Sequence, residues 1–159
     1  MPIITIDGKQ IEVEKGTNLI QAAQKIGVEI PHYCYHPGLR VDGNCRMCLV
    51  EVKGPRGFMP QIACNTPCTD GLEIKTDTQQ VADMRRGVME FLLHNHPIDC
   101  PICDQAGECR LQDYYMRYGK YDNRSIVEKV NKDKVVDIGP LVVLDQERCV
   151  LCSRCVRFC

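Results

Sequence analysis

The sequence has no tryptophan and only three phenylalanines, so aromatic side chains can add little to any core. It has no excess of either charge. Twenty Lys and Arg stand against 21 Asp and Glu, a net charge of −1, which removes the electrostatic case for a nucleic-acid partner. No apolar run approaches the ~18–20 residues that cross a bilayer, so no direct membrane span is expected. The opening MPIITIDGKQ has neither a basic n-region nor an apolar h-region, and no signal peptide is expected. There is no dinucleotide fingerprint and no P-loop, and no residue reads as a catalytic acid, base or nucleophile. At 44% hydrophobic, the composition also excludes a disordered chain.

What the sequence has in excess is cysteine, 12 in 159 residues. Disulfide scaffolds belong to small exported chains, whereas clustered cysteines in a reducing compartment are more often metal ligands. The scaffold that carries them is legible in part. In residues 3–13, Ile4 and Ile6, then Ile11 and Val13, flank Asp7-Gly8, the pattern of a tight two-strand hairpin. A helix follows. Thr17 or Asn18 can cap it, Asn18 with Gln21 fits a capping box, and Leu19, Ile20, Ala23 and Ile26 form one apolar stripe. Gly27 suits the position just past its end, with Pro31 beyond. A hairpin followed by a helix is how a ubiquitin-like β-grasp begins. Leu49, Val50 and Val52 predict a strand closed by the turn Gly54–Gly57, and Leu72, Ile74 and Thr76 predict another after the turn Thr69-Asp70-Gly71. Residues 78–95 predict a helix capped by Asp77 or Thr78, with Val81, Met84, Val88, Phe91 and Leu92 inward. A second, shorter helix is expected over Glu108–Arg117, ended by Gly119, then an extended polar connector and an apolar strand within 138–145.

The cysteines fall into three groups. Cys34, Cys45, Cys48 and Cys64 have the spacing C-x10-C-x2-C-x15-C. A close pair with one ligand before it and one far after is the logic of a [2Fe–2S] ferredoxin site, here with a longer first gap than the plant-type motif. Gly38 and Gly43 lie in that loop, where they can let backbone N–H groups reach the sulfurs. A Cys₄ zinc site is the rival; the β-grasp pattern before Cys34 favours iron–sulfur. Cys68 can replace Cys64 on spacing alone, but is read as a turn-region thiol.

His96, Cys100, Cys103 and Cys109 form the second group, H-x3-C-x2-C-x5-C, which suits zinc or a cubane cluster about equally. His94 reads as a solvated helix-end residue, and His32 and His36 have no assigned role. Cys149, Cys152, Cys155 and Cys159 form C-x2-C-x2-C-x3-C, the bacterial [4Fe–4S] run, whose fourth cysteine ligates a different cluster in two-cluster ferredoxins. Arg148, Arg154 and Arg157 can offset the charge of such a cluster.

Three different patterns in this order narrow the field. The stretches IPHYCYHPGL, GNCRMCLVEV, ACNTP, HPIDCPICDQAGECRLQD and IGPLVVLDQERCVLCSRCVRF span nearly the whole chain. In them the sequence resembles the N-terminal part of the G-subunit family of bacterial NADH-quinone oxidoreductase, the 75 kDa subunit of mitochondrial complex I. The resemblance implies a [2Fe–2S] cluster on Cys34, Cys45, Cys48 and Cys64 and a [4Fe–4S] cluster on His96, Cys100, Cys103 and Cys109. It implies a second [4Fe–4S] cluster on Cys149, Cys152 and Cys155, with its fourth ligand downstream of Cys159, whose own role is left open. Neither that ligand nor the family's large molybdopterin-oxidoreductase-like domain falls within these residues, so a segment of a longer polypeptide is expected.

The fold expected is therefore α+β. A β-grasp [2Fe–2S] domain spans residues 1–77, and a small helical His-Cys₃ [4Fe–4S] domain spans 78–118. A connector over 119–143 leads to the start of a bacterial-ferredoxin-like [4Fe–4S] domain at 144–159. The function implied is electron relay from NADH, through a partner flavin subunit, toward quinone in a respiratory chain. The other partners would be peripheral-arm subunits, and the place the cytoplasmic side of the bacterial inner membrane, held there through the complex. Two alternatives remain: the electron-input arm of a NAD-linked hydrogenase or formate dehydrogenase, and, from a different class, a zinc-binding structural module.

Overall fold

A computed structural model describes residues 1–122 and 124–159. Its contacts divide the chain into two units, Met1–Arg85 together with Cys152–Cys159, and Arg86–Leu151.

The first unit is built on a five-stranded sheet. Its strands are β1 (Ile3–Ile6), β2 (Lys9–Glu12), β3 (Leu49–Gly54), β4 (Gly57–Ile62) and β5 (Glu73–Lys75), in the order β2-β1-β5-β3-β4. β1 and β5 run parallel, and the other pairs are antiparallel. The β1–β2 hairpin turns at Asp7 and Gly8, both with positive φ, as the Asp-Gly pair predicts. The Asp7 carboxylate then accepts from the Thr76 backbone N–H at 2.7 Å and the Thr76 hydroxyl at 2.5 Å, tying the hairpin to the end of β5.

Helix α1 (Leu19–Lys25) has the expected capping box: Asn18 Oδ1 accepts from the Gln21 N–H and Gln21 Oε1 from the Asn18 N–H. Ile4, Ile6, Leu19, Ile20, Val50 and Ile74 are buried together where α1 covers the sheet, each contributing about 1.5–3 kcal/mol. Hairpin, covering helix and mixed sheet together make the β-grasp half of the expected α+β fold.

Two differences from the sequence expectation have physical causes. β4 follows the Gly54–Gly57 turn directly, yet its residues GFMPQI do not alternate. It lies at the sheet edge, where Pro60 costs no ladder bond, so neither alternation nor β-propensity marks it. In α2 (Gln79–His94) the most buried positions are Val81, Arg85 and Met89, while Phe91 is 85% exposed. An arginine stands in the inward stripe, where its Nη2 donates to the Leu49 carbonyl at 3.1 Å. Thr78 caps this helix, its hydroxyl oxygen accepting from the Val81 N–H at 3.2 Å.

The second unit has little apolar interior; Met89, Leu111 and Tyr114 are its buried hydrophobics. A single 3₁₀ turn spans Cys100–Ile102, and α3 spans Arg110–Tyr118. The α3 end requires Gly119: its N–H donates to the Tyr115 carbonyl at 2.7 Å, and a Cβ there would sit 2.2 Å from the Tyr115 ring. β6 (Val136–Asp137) and β7 (Val143–Leu144) pair as a short antiparallel ribbon. The rest of the expected connector has no regular structure where described, and residue 123 within it lies outside the described residues. A five-residue helix, α4 (Arg154–Phe158), belongs with the first unit. Among the described residues, no helix is long and apolar enough to cross a membrane.

Removing the α1 cap tests how far this local chemistry sets the first unit's stability. Asn18→Ala is expected to cost about 1 kcal/mol, read as a lower urea midpoint with an unchanged m-value.

Candidate metal centres

The strand register begins the first site. Leu49 pairs with Ile62, and the Ala63 N–H donates to the Cys48 carbonyl at 3.0 Å. Cys48 enters β3 and Cys64 leaves β4 through the 3₁₀ turn Ala63–Asn65, so the antiparallel pair brings residues 16 apart in sequence side by side. The loop before β3 supplies Cys34 and Cys45. Two left-handed residues shape it, Gly43 and Arg46, with φ of 70° and 56°. Gly43 is constrained twice over, since a Cβ there would also meet Ile62 Cδ1 at 2.9 Å.

The four thiols hydrogen-bond in a row, Cys45–Cys34–Cys64–Cys48. Hydrogen bonds from Cys45 and Cys64 hold Cys34 far below the usual thiol range, and that from Cys64 lowers Cys48. Its bond to Cys34, then burial, pushes Cys45 up; its bonds to Cys34 and Cys48 push Cys64 up. Backbone amides complete the cradle. Those of Cys45 and Asn44 donate to the Cys34 sulfur; those of Cys34, at 3.5 Å, Met47 and Tyr33 donate to the Cys45 sulfur. This is the surrounding that an anionic, sulfur-rich cluster needs. Gly43, with its positive φ, stands just before Asn44 and Cys45, whose N–H groups serve the Cys34 sulfur, and the Gly38 N–H donates to His36 Nδ1 at 3.1 Å. Among the described residues, no three His, Cys, Asp or Glu side chains converge on a point that would hold a single metal ion.

Cys68 stands apart from this row. It is buried in the apolar core, its N–H donates to the Thr17 carbonyl at 2.8 Å, and desolvation raises its thiol. His32 Nδ1 lies 2.8 Å from the Ile30 carbonyl.

In the second unit, His96, Cys100, Cys103 and Cys109 all line one cavity of about 750 Å³. Burial, and next the Lys129 charge, lowers the His96 pKa and so favours the neutral imidazole, the form that ligates a metal. The loop carrying these residues is held by charge rather than by apolar packing. Asp99 pairs with Lys134 and with Arg148 Nε at 3.3 Å, and Arg148 Nε also meets Asp145 at 3.2 Å. Lys134 in turn meets Glu147 at 2.7 Å. Lys129 Nζ donates to the carbonyls of Leu93 at 2.7 Å and of His94 and His96 at 3.0 Å each, which neutralises the C-terminal end of α2. Sequence reasoning misses this residue, since nothing in a polar connector marks which lysine folds back.

The third group is divided. Cys149 lies in the second unit, where its sulfur accepts from the Leu151 N–H at 3.4 Å; Cys152, Cys155 and Cys159 lie in the first. Of the three arginines linked with this run, Arg148 serves the acidic residues above. Arg154 and Arg157 bond the loop that carries Cys34.

Comparisons with known proteins place these features in context. A family model described as a 2Fe-2S iron-sulfur cluster binding domain matches residues 3–79, and one described as an NADH-ubiquinone oxidoreductase-G iron-sulfur binding region matches residues 85–124. The chain is 54% identical over 157 residues to the G subunit of NADH-quinone oxidoreductase from Rickettsia bellii, covering 98% of this chain and 22% of that protein. It is 51% identical over 159 residues to the mitochondrial NADH-ubiquinone oxidoreductase 78 kDa subunit of Neurospora crassa, covering 98% of this chain and 21% of that protein. A crystal structure of NAD+-reducing [NiFe]-hydrogenase in the H2-reduced state contains a chain 30% identical, with a TM-score of 0.84 over 98% of this chain and 64% of its own. The chain thus spans about a fifth of the length of the curated relatives it matches.

Lys129→Met is expected to loosen the end of α2. Amide hydrogen exchange over residues 92–96 should quicken, while exchange in α1 stays unchanged.

Proposed function

Because the chain belongs to the G-subunit family of NADH-quinone oxidoreductase, we propose that it is the iron–sulfur electron-transfer segment of such an enzyme. The observation that carries the reading is that the β3–β4 register and the loop before it bring Cys34, Cys45, Cys48 and Cys64 together, buried or half-buried, with backbone amides on their sulfurs. Cys34, Cys45, Cys48 and Cys64 would hold a [2Fe–2S] cluster. His96, Cys100, Cys103 and Cys109 would hold a [4Fe–4S] cluster; Cys149, Cys152 and Cys155, with a further ligand, would hold another. Bound there, the clusters supply one-electron carriers between a partner subunit's flavin and quinone.

The chain's own residues do the rest. The thiolates would neutralise iron charge. The amides of Tyr33, Asn44 and Met47 stabilise electron density on sulfur, and burial of Cys34, Cys48 and Cys64 excludes water. A neutral imidazole at His96 would leave its cluster one negative charge short of an all-thiolate set. The functional division is that of residues 1–77, 78–118, 119–143 and 144–159. The assembly would sit on the cytoplasmic side of the bacterial inner membrane as part of a respiratory chain, with the flavin and NADH-binding subunit and other peripheral-arm subunits as neighbours.

The likeness to a NAD+-reducing hydrogenase chain supports a second reading, an electron-input arm feeding a different terminal enzyme. The much higher identity to the G-subunit relatives favours the first. A zinc module has no support from the family models, both of which describe iron–sulfur binding.

Two variants test the ligand sets. Cys64→Ser should abolish the [2Fe–2S] EPR signal while Cys68→Ser keeps it; the reverse result would mean that Cys68 is the ligand. His96→Cys should retain a [4Fe–4S] cluster at a lower reduction potential, because a thiolate replaces a neutral donor. An unchanged potential would argue against ligation by His96.

A further inference from the structure

We infer that Arg157, aided by Arg154, is a positioning and charge-tuning residue of the Cys34, Cys45, Cys48 and Cys64 site, although both arginines lie in the third cysteine run. The inference rests on the reading that these four cysteines hold a [2Fe–2S] cluster.

The geometry is specific. Arg157 Nη2 donates to the carbonyl of Cys34 itself, and its Nη1 donates to the carbonyl of Arg40. One guanidinium thus bridges the two ends of the loop segment 34–40. Arg154 Nη2 donates to the Tyr35 carbonyl at 2.7 Å. At the start of the helix, the Ser153 hydroxyl donates to Asp42 and its oxygen accepts from Asn44 Nδ2 at 3.3 Å. Asn44 is one of the two residues whose backbone N–H serves the Cys34 sulfur. Beyond its own segment, where Arg157 also bonds the Ser153 and Cys152 carbonyls, these ties from α4 converge on the ligand loop. Apolar packing does not explain the docking, since Val156 and Phe158 on the same helix are 76% and 83% exposed.

Two consequences follow from charge. A reduced cluster carries one more negative charge than an oxidised one, so fixed cations at its ligand loop favour reduction. A guanidinium that accepts no proton and gives none up holds this bias across the whole working pH range. Arginine is also the residue that can span two carbonyls at once; a lysine supplies the charge without the fork. The arrangement makes the helix of the third run a determinant of the first site's potential.

The test uses the full-length protein purified anaerobically with its clusters, and reads the midpoint potential of the [2Fe–2S] EPR signal. Arg157→Gln should lower it, shifting the reduction equilibrium about tenfold, ~59 mV for one electron. Arg157→Lys should restore most of the shift, and Val156→Ala on the same helix should leave the potential where it was. A wild-type signal whose potential is unmoved by both Arg157→Gln and Arg154→Gln would overturn the inference. If Arg157→Gln does not retain the cluster, Arg154→Gln carries the test with the same two readings. Loss of the cluster in both would overturn charge tuning in favour of a purely structural clamp. Absence of the signal from the wild-type protein would instead defeat the ligand assignment on which the inference rests.

Discussion

The candidate site of the first unit depends on bringing four thiols together at the border of the apolar core, which takes in Cys48 and Cys64. Thiols crowded together repel once they ionise, and burial raises the cost. The protein meets this with directed donors. Backbone amides from Tyr33, Cys34, Asn44, Cys45 and Met47 point at sulfur, and Gly43 and Arg46, both left-handed, shape the stretch that carries Asn44, Cys45 and Met47. The sheet provides the rest. The β3–β4 register places Cys48 against the turn of Cys64, and the buried cluster beneath α1 keeps that register from slipping.

The second unit reaches a similar donor set by the opposite route. Its four candidate ligands fall within 14 residues, His96 to Cys109, so local chain geometry gathers them around one cavity without a sheet. Its interior is small, and its loops are tied by Asp99, Lys134, Arg148 and Lys129 instead. A unit with so little apolar burial and four candidate donors around one cavity suits binding of its metal group as part of its folding free energy. The contrast also fits electron transfer, where each site needs its own surroundings to set its own potential.

The first half of the fold is legible because its local rules agree with one another. Asp7-Gly8, the Asn18–Gln21 box and the alternation of Leu72, Ile74 and Thr76 each name an element through short-range chemistry. β4 is hidden because an edge strand with a proline needs neither alternation nor β-propensity. The inward face of α2 escapes the hydropathy pattern because Arg85 is buried there, with a hydrogen bond to Leu49 that no such pattern contains. Cysteine spacing marks the candidate donor groups, yet the charged residues that tie their loops are invisible in it. The reach of Lys129 back to α2, and of Arg157 to Cys34 across more than a hundred residues, belongs to tertiary structure alone.

Chemical analysis of the anaerobically purified protein for iron, acid-labile sulfide and zinc bears most directly on whether these donor sets hold iron–sulfur clusters. The account predicts a brown protein with iron and labile sulfide in a one-to-one ratio and no stoichiometric zinc, since [2Fe–2S] and [4Fe–4S] clusters both contain the two elements equally. A colourless protein carrying zinc without labile sulfide would contradict it.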